Sequence, residues 1–221
     1  MNMNSFYSRK LHSLLGVIPL GFFLVEHLIT NYHAFMGAEE FIEQVLWLQS
    51  LPFVLLMEVF FIWLPLLYHG IYGLYIAYQA RNNVTNYSYF RNIMFVLQRI
   101  TGVMTLIFIV WHFYDTRFQV ALGNVTHEQL GQTMHEIATN PVFLTLYIIG
   151  IVAAVFHFCN GMWSFLVSWG ITVGPRAQRF STYVWMTAFV LLSIVGILAI
   201  TAFTDESFAM INETAAQLNI Q

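Results

Sequence analysis

The sequence predicts an all-α membrane protein with five transmembrane helices. Three observations lead there. Charged residues make up only 9% of 221 and hydrophobic residues 58%, whereas about a quarter of a soluble domain is charged. Five apolar stretches reach or exceed the roughly 20 residues that a helix needs to cross hydrocarbon. Their ends carry the punctuation of helices: prolines in Ser50-Leu-Pro52 and Asn140-Pro141 where helices start, and Gly174-Pro175 where the chain must break.

Taken in order, the expected spans are 11–32, 52–78, 93–113, 141–169 and 182–203. The first lies behind Arg9 and Lys10 and is longer than the apolar part of a signal peptide, so it is expected to be retained. The connection 37–49 mixes Phe41, Ile42, Val45, Leu46 and Trp47 with acids at helical spacing, which suits a short helix on the membrane surface. The connection 126–139 repeats this more weakly, and both are expected to serve packing. Residues 1–203 form one membrane domain, and 204–221 read as a polar external tail.

Lysine and arginine set the orientation. Arg9, Lys10, Arg81, Arg91, Arg99, Arg176 and Arg179, seven of the eight cations, fall at one side of the five spans, and only Arg117 at the other. The N-terminus is therefore expected in the cytoplasm and the C-terminus outside.

Four of the eight histidines, His27, His69, His112 and His157, lie inside the first four apolar stretches. An ionisable side chain is costly there and becomes a functional candidate by default. At 1.5 Å per helical residue, His27 lies roughly 21 Å and His112 roughly 25 Å along two outward-running spans. By the same count, His69 and His157 lie roughly 25 Å and 24 Å along two inward-running ones. The four thus form two level pairs, His27 with His112 towards the outside and His69 with His157 towards the inside. Two imidazoles facing each other from different helices of a bundle are what a six-coordinate haem iron needs. The first four spans are therefore expected to form a bundle around two b haems. The lone Cys159 and the lack of a C-x-x-C-H motif exclude a thioether link, so these haems are non-covalent. Zinc, which needs three or four close ligands, fits two histidines per level poorly.

Spans one and three echo each other, Leu11-His-Ser-Leu-Leu-Gly16 ahead of His27 and Leu97-Gln-Arg-Ile-Thr-Gly102 ahead of His112; spans two and four share H-x-x-x-G as His69 to Gly73 and His157 to Gly161. Gly16, Gly21, Gly70, Gly73, Gly102 and Gly161 remove side-chain bulk where a flat macrocycle or a neighbouring helix must approach.

Several stretches together carry a family resemblance. Ser8-Arg-Lys-Leu-His-Ser-Leu-Leu-Gly-Val-Ile-Pro19, Tyr68-His-Gly-Ile-Tyr-Gly-Leu-Tyr-Ile-Ala77, Leu97-Gln-Arg-Ile-Thr-Gly102, Phe156-His-Phe-Cys-Asn-Gly-Met-Trp-Ser-Phe165 and Trp169-Gly-Ile-Thr-Val173 resemble the bacterial single-chain, di-haem cytochrome b subunit of succinate dehydrogenase and its fumarate reductase relatives. The resemblance extends to about Phe203. It implies haem ligation by His27, His69, His112 and His157. It also implies a flavoprotein subunit and an iron–sulfur subunit on the cytoplasmic face, and menaquinone as electron acceptor. No nucleic-acid partner is expected. The alternatives are the cytochrome b subunit of a hydrogenase or formate dehydrogenase, and a transporter that uses the histidines as a proton relay.

Among secondary positions, Glu58 in the outer half of span two suits a group that passes protons to a quinone. His12, Ser13 and Arg99 stand at the level of the inner pair, where they are candidates for haem propionate or pocket contacts. Glu26 suits a head-group contact or a hydrogen bond beside His27. His33, His127 and His135 are expected to be solvated.

Overall fold

The computed structural model describes residues 3–209, and among these there are helices and turns but no strand. Five helical segments are long and apolar enough to cross a membrane: Ser5–Met36, Val54–Gln79, Phe90–Ala121, Pro141–Ser168 and Pro175–Ala202, here spans 1 to 5. Three depart from a simple helix: span 3 breaks at Thr116, between Asp115 and Arg117, and spans 1 and 2 depart because of a proline. In span 1 the helix pauses between Val17 and Pro19. Pro19 has no N–H to give, but Ile18 N–H still reaches Leu14 O (2.9 Å) and Phe22 N–H reaches Ile18 O (3.2 Å), so the ladder carries on around the ring. In span 2, residues Glu58–Trp63 form a π-helical turn just ahead of Pro65. A wide turn absorbs the hydrogen bond that Pro65 cannot donate.

The span boundaries differ from those read from apolarity alone. Span 2 starts at Val54, two residues after Pro52, because Phe53 takes a positive φ of 61° and breaks the run between them. Span 3 reaches back to Phe90 and span 5 to Pro175, through polar first turns that an apolar count leaves out. Those turns are anchored. The Arg91 guanidinium stacks 3.4 Å from the Trp163 ring centre and bonds Thr182 Oγ1, and Trp163 Nε1 donates to Gln178 O (3.0 Å). Span 4 starts at Pro141, where Asn140 Oδ1 accepts the N–H groups of Val142 (3.0 Å) and Phe143 (3.3 Å).

The chain divides into two compact units. One comprises Met1–Val25, Leu55–Leu106 and Ala153–Leu192. Within it, Lys10 Nζ donates to Ser168 O and lies 4.9 Å from the Trp169 ring centre, tying the start of span 1 to the end of span 4.

The second unit comprises Glu26–Val54, Ile107–Val152 and Ser193–Gln221. Its core gathers Phe41, Val45, Met134, Ile137, Tyr147, Ile200, Phe203 and Phe208. Phe41 and Val45 come from the helix Ala38–Gln49, and Met134 and Ile137 from the helix Leu130–Thr139, so both connections turn an apolar face inward. His135 corrects the reading of a solvated side chain: it is 9% exposed, and its Nδ1 donates to Phe203 O at 2.8 Å. It lies on the same helix face as Met134 and Ala138, and that face is the buried one. Phe208, in the stretch expected as a tail, is fully buried in this core. Its turn, Glu206–Phe208, is capped by Asp205, whose Oδ1 accepts Ser207 N–H (2.8 Å); the Ser207 side chain, and after it this N–H, hold the carboxyl below the usual carboxylate range. The remainder of the expected tail, from residue 210, lies outside the described residues.

Candidate functional site

In the first unit the His69 and His157 ring centres are 6.1 Å apart. Each ring is held from behind in the same way. His69 Nδ1 donates to the backbone carbonyl of His12 (2.9 Å), and His157 Nδ1 to that of Gln98 (3.0 Å). Each accepting carbonyl lies four residues before a glycine, Gly16 and Gly102. In a helix it already accepts the glycine N–H, but a carbonyl oxygen has a second lone pair to offer. The glycine is what lets the ring come close enough. A Cβ on Gly16 would collide with the His69 ring, and one on Gly102 would lie 2.7 Å from His157 Cε1. A Nδ1–H bond to a carbonyl fixes the tautomer and leaves the Nε2 lone pair for a metal.

Polar partners that the sequence reading did not single out complete the hold on His157. The Gln98 side-chain amide donates to His157 O (2.9 Å), and Asn160, 2% exposed, donates to Gln98 Oε1 (2.7 Å). The only advance sign was an amide in each of two motifs otherwise rich in apolar residues. His12 lies parallel to the His69 ring, centres 4.0 Å apart and planes at 9°. Ser13 Oγ donates to Lys10 O (2.9 Å) and accepts from Trp169 Nε1 (3.1 Å). Arg99 turns to its own helix, with Nη1 donating to Phe95 O (2.6 Å).

In the second unit the His27 and His112 ring centres are 5.7 Å apart. Tyr147, 1% exposed, brings its hydroxyl to 3.4 Å from His112 Nδ1 and packs its ring against Phe108 and Trp111. Asn31 donates to His27 O (2.8 Å). Glu26, beside His27, accepts from Thr30 Oγ1 (2.6 Å). Glu58 belongs to the first unit, where it is half-buried and opens the π turn of span 2.

These residues fit the group that the sequence implies. Two imidazole nitrogens, each about 2 Å from one metal ion, put their ring centres about 6 Å apart. Both pairs stand at that separation, and in the first the Nε2 lone pairs are the ones left over.

The fold and these side chains define an all-α, multi-pass membrane protein with two facing pairs of histidines inside its spans. The sequence pattern of the succinate dehydrogenase/fumarate reductase transmembrane subunit family matches residues 79–200. The chain is also 52% identical over 198 residues to the succinate dehydrogenase cytochrome b558 subunit of Bacillus subtilis (strain 168), across 90% of this chain and 96% of that one. It belongs to the succinate dehydrogenase/fumarate reductase transmembrane subunit family. That membership decides against the hydrogenase, formate dehydrogenase and transporter alternatives.

Proposed function

We propose that this chain anchors a succinate dehydrogenase in the membrane and passes electrons from the iron–sulfur subunit, through two bis-histidine b haems, to menaquinone. When bound, the two haems supply one-electron carriers. The protein's part is to hold them: His69 and His157 for one, His27 and His112 for the other. The observation that carries this reading is the ring separation in both pairs, together with the carbonyl bonds that aim His69 and His157. Backbone carbonyls as acceptors fix those two rings without depending on any mobile side chain. His12 and Ser13 lie at the His69 end of the first unit, where they suit contacts to haem propionates.

The cation bias puts the N-terminus and the His69–His157 pair towards the cytoplasm, where the flavoprotein and iron–sulfur subunits dock, and the C-terminus outside. Succinate chemistry belongs to the flavoprotein. The test is a reduced-minus-oxidised spectrum of the chain purified with its partners, with haem quantified per chain. Two b haems that succinate reduces in membranes and menaquinone reoxidises are expected. A colourless chain overturns the reading.

Glu58 is proposed to deliver protons to the quinone from the outer half of span 2. Its place in a π turn favours this, since such turns recur at functional sites. Glu58→Gln is expected to slow menaquinone reduction on the order of a hundredfold, the usual loss when a positioned acid is removed. Both haem spectra should stay as they are. An unchanged rate and pH profile would remove Glu58 from the mechanism.

A further inference from the structure

We infer that Arg99 and the groove beside it hold one anionic phospholipid against the protein. Spans 2 and 3 approach at Gly70, where a Cβ would lie 3.2 Å from Leu106 Cδ1. Four residues further along span 2, at Leu74, a cavity of about 520 Å³ opens, lined by Leu74, Ala77 and Tyr78 of span 2 and by Arg99, Ile100, Val103 and Met104 of span 3. All but Arg99 present apolar surface or a tyrosine ring, which suits an acyl chain.

Arg99 is the exception and sits at the charged end. Its guanidinium stacks 3.3 Å from the Phe95 ring centre, and Nη1 is occupied by Phe95 O. Its Nε is buried and, among the described residues, has no hydrogen-bond partner; no carboxylate among them pairs with the group. Arg9 lies close enough to act on it as a second positive charge. Arg99 at the head of an apolar groove between membrane spans, with Arg9 acting on it and no carboxylate paired with it among the described residues, calls for an anion that carries its own hydrocarbon. A phospholipid phosphate supplies the acceptor for Nε, and its chain fills the groove. On span 3 the groove residues Ile100, Val103 and Met104 face away from Gln98 and Gly102, which meet His157. The site is therefore separate from the histidine pair.

The test uses the chain purified from its native membrane with the subunits that accompany it. Native mass spectrometry follows titration with dioleoylphosphatidylglycerol, and with dioleoylphosphatidylcholine as the neutral-headgroup control. One phosphatidylglycerol per chain is expected to bind in preference to phosphatidylcholine. Arg99→Gln should weaken it about fivefold, the effect of one cation at a lipid surface, with the haem difference spectrum unchanged. Ala77→Leu fills the groove, keeps the charge, and should displace the same lipid; it decides the matter if Arg99→Gln does not accumulate. Equal binding of both lipids, or retention of phosphatidylglycerol by the variants, overturns the inference. So does a shifted haem spectrum, or loss of bound menaquinone, with lipid binding intact, because Arg99 would then serve a propionate or a quinone.

Discussion

On the proposed function, His112→Ala is expected to leave a purified chain with one b haem in place of two, and the surviving spectrum is expected to be that of the His69–His157 site. Iron held by two protein imidazoles loses half of its axial ligation when one is removed, and alanine offers no substitute donor. The two imidazoles of a pair act as one unit, so the variants are not additive. His27→Ala should remove the same spectral component as His112→Ala, and the double variant no more than either single one. His69→Ala and His157→Ala should remove the other component, again as a unit. The measurements are haem per chain and low-temperature reduced-minus-oxidised spectra, with the low-spin resonance of bis-imidazole iron as a second readout. His135→Ala is the control. That histidine is also buried, but its Nδ1 is committed to Phe203 O, and among the described residues the core it joins contains no other histidine. If His27→Ala and His112→Ala removed different components, the proposed pairing would fail, whatever the stoichiometry.

How far the sequence foretold this arrangement depends on the kind of interaction involved. The spans are set by apolar length, a property that every residue in the stretch reports, and five were legible. Their ends were not, because the first turns of spans 3 and 5 are polar and are held by contacts between distant residues, such as Arg91 with Trp163 and Thr182. The π turn of span 2 was also hidden. Pro65 announces a missing hydrogen bond, but the sequence does not say whether a kink or a wide turn will absorb it.

The two histidine pairs could be read by counting, since residues at equal depth on helices of the same direction are the ones able to meet. The grip on His69 and His157 could not, because its acceptors are backbone carbonyls, which every residue has. What did show was the glycine beside each. The repeated run that ends in Gly16 and Gly102 looked like an echo between spans, and its physical content is a carbonyl followed four residues later by the space for a ring. His135 was misread because its neighbours in sequence are polar, whereas its burial comes from a core assembled out of four separate stretches of chain.

The carbonyl-and-glycine cradle gives the second large effect, one in which no ligand is touched. In Gly102→Ala the new Cβ would lie 2.7 Å from His157 Cε1 and 3.1 Å from Nδ1, closer than packed carbons allow. The ring cannot retreat without giving up the bond to Gln98 O, nor can the backbone shift without moving that same acceptor. Overpacking of this kind costs about 1–3 kcal/mol, and the lost hydrogen bond about 1 kcal/mol more. Haem retention at the His69–His157 site should therefore fall at least tenfold, since each 1.4 kcal/mol is a factor of about ten. The His27–His112 component should be unaffected. Gly16→Ala should act likewise through His69. Gly161→Ala separates this from ordinary helix packing: there the added carbon meets the Gln98 side-chain amide at 3.3 Å and not the ring, so it strains only the amide bonds to His157 O and Asn160, and haem loss should be clearly smaller than in Gly102→Ala. If all three substitutions lowered haem content equally, the glycines would be serving helix contact alone, and the aim of the two imidazoles would have to come from elsewhere.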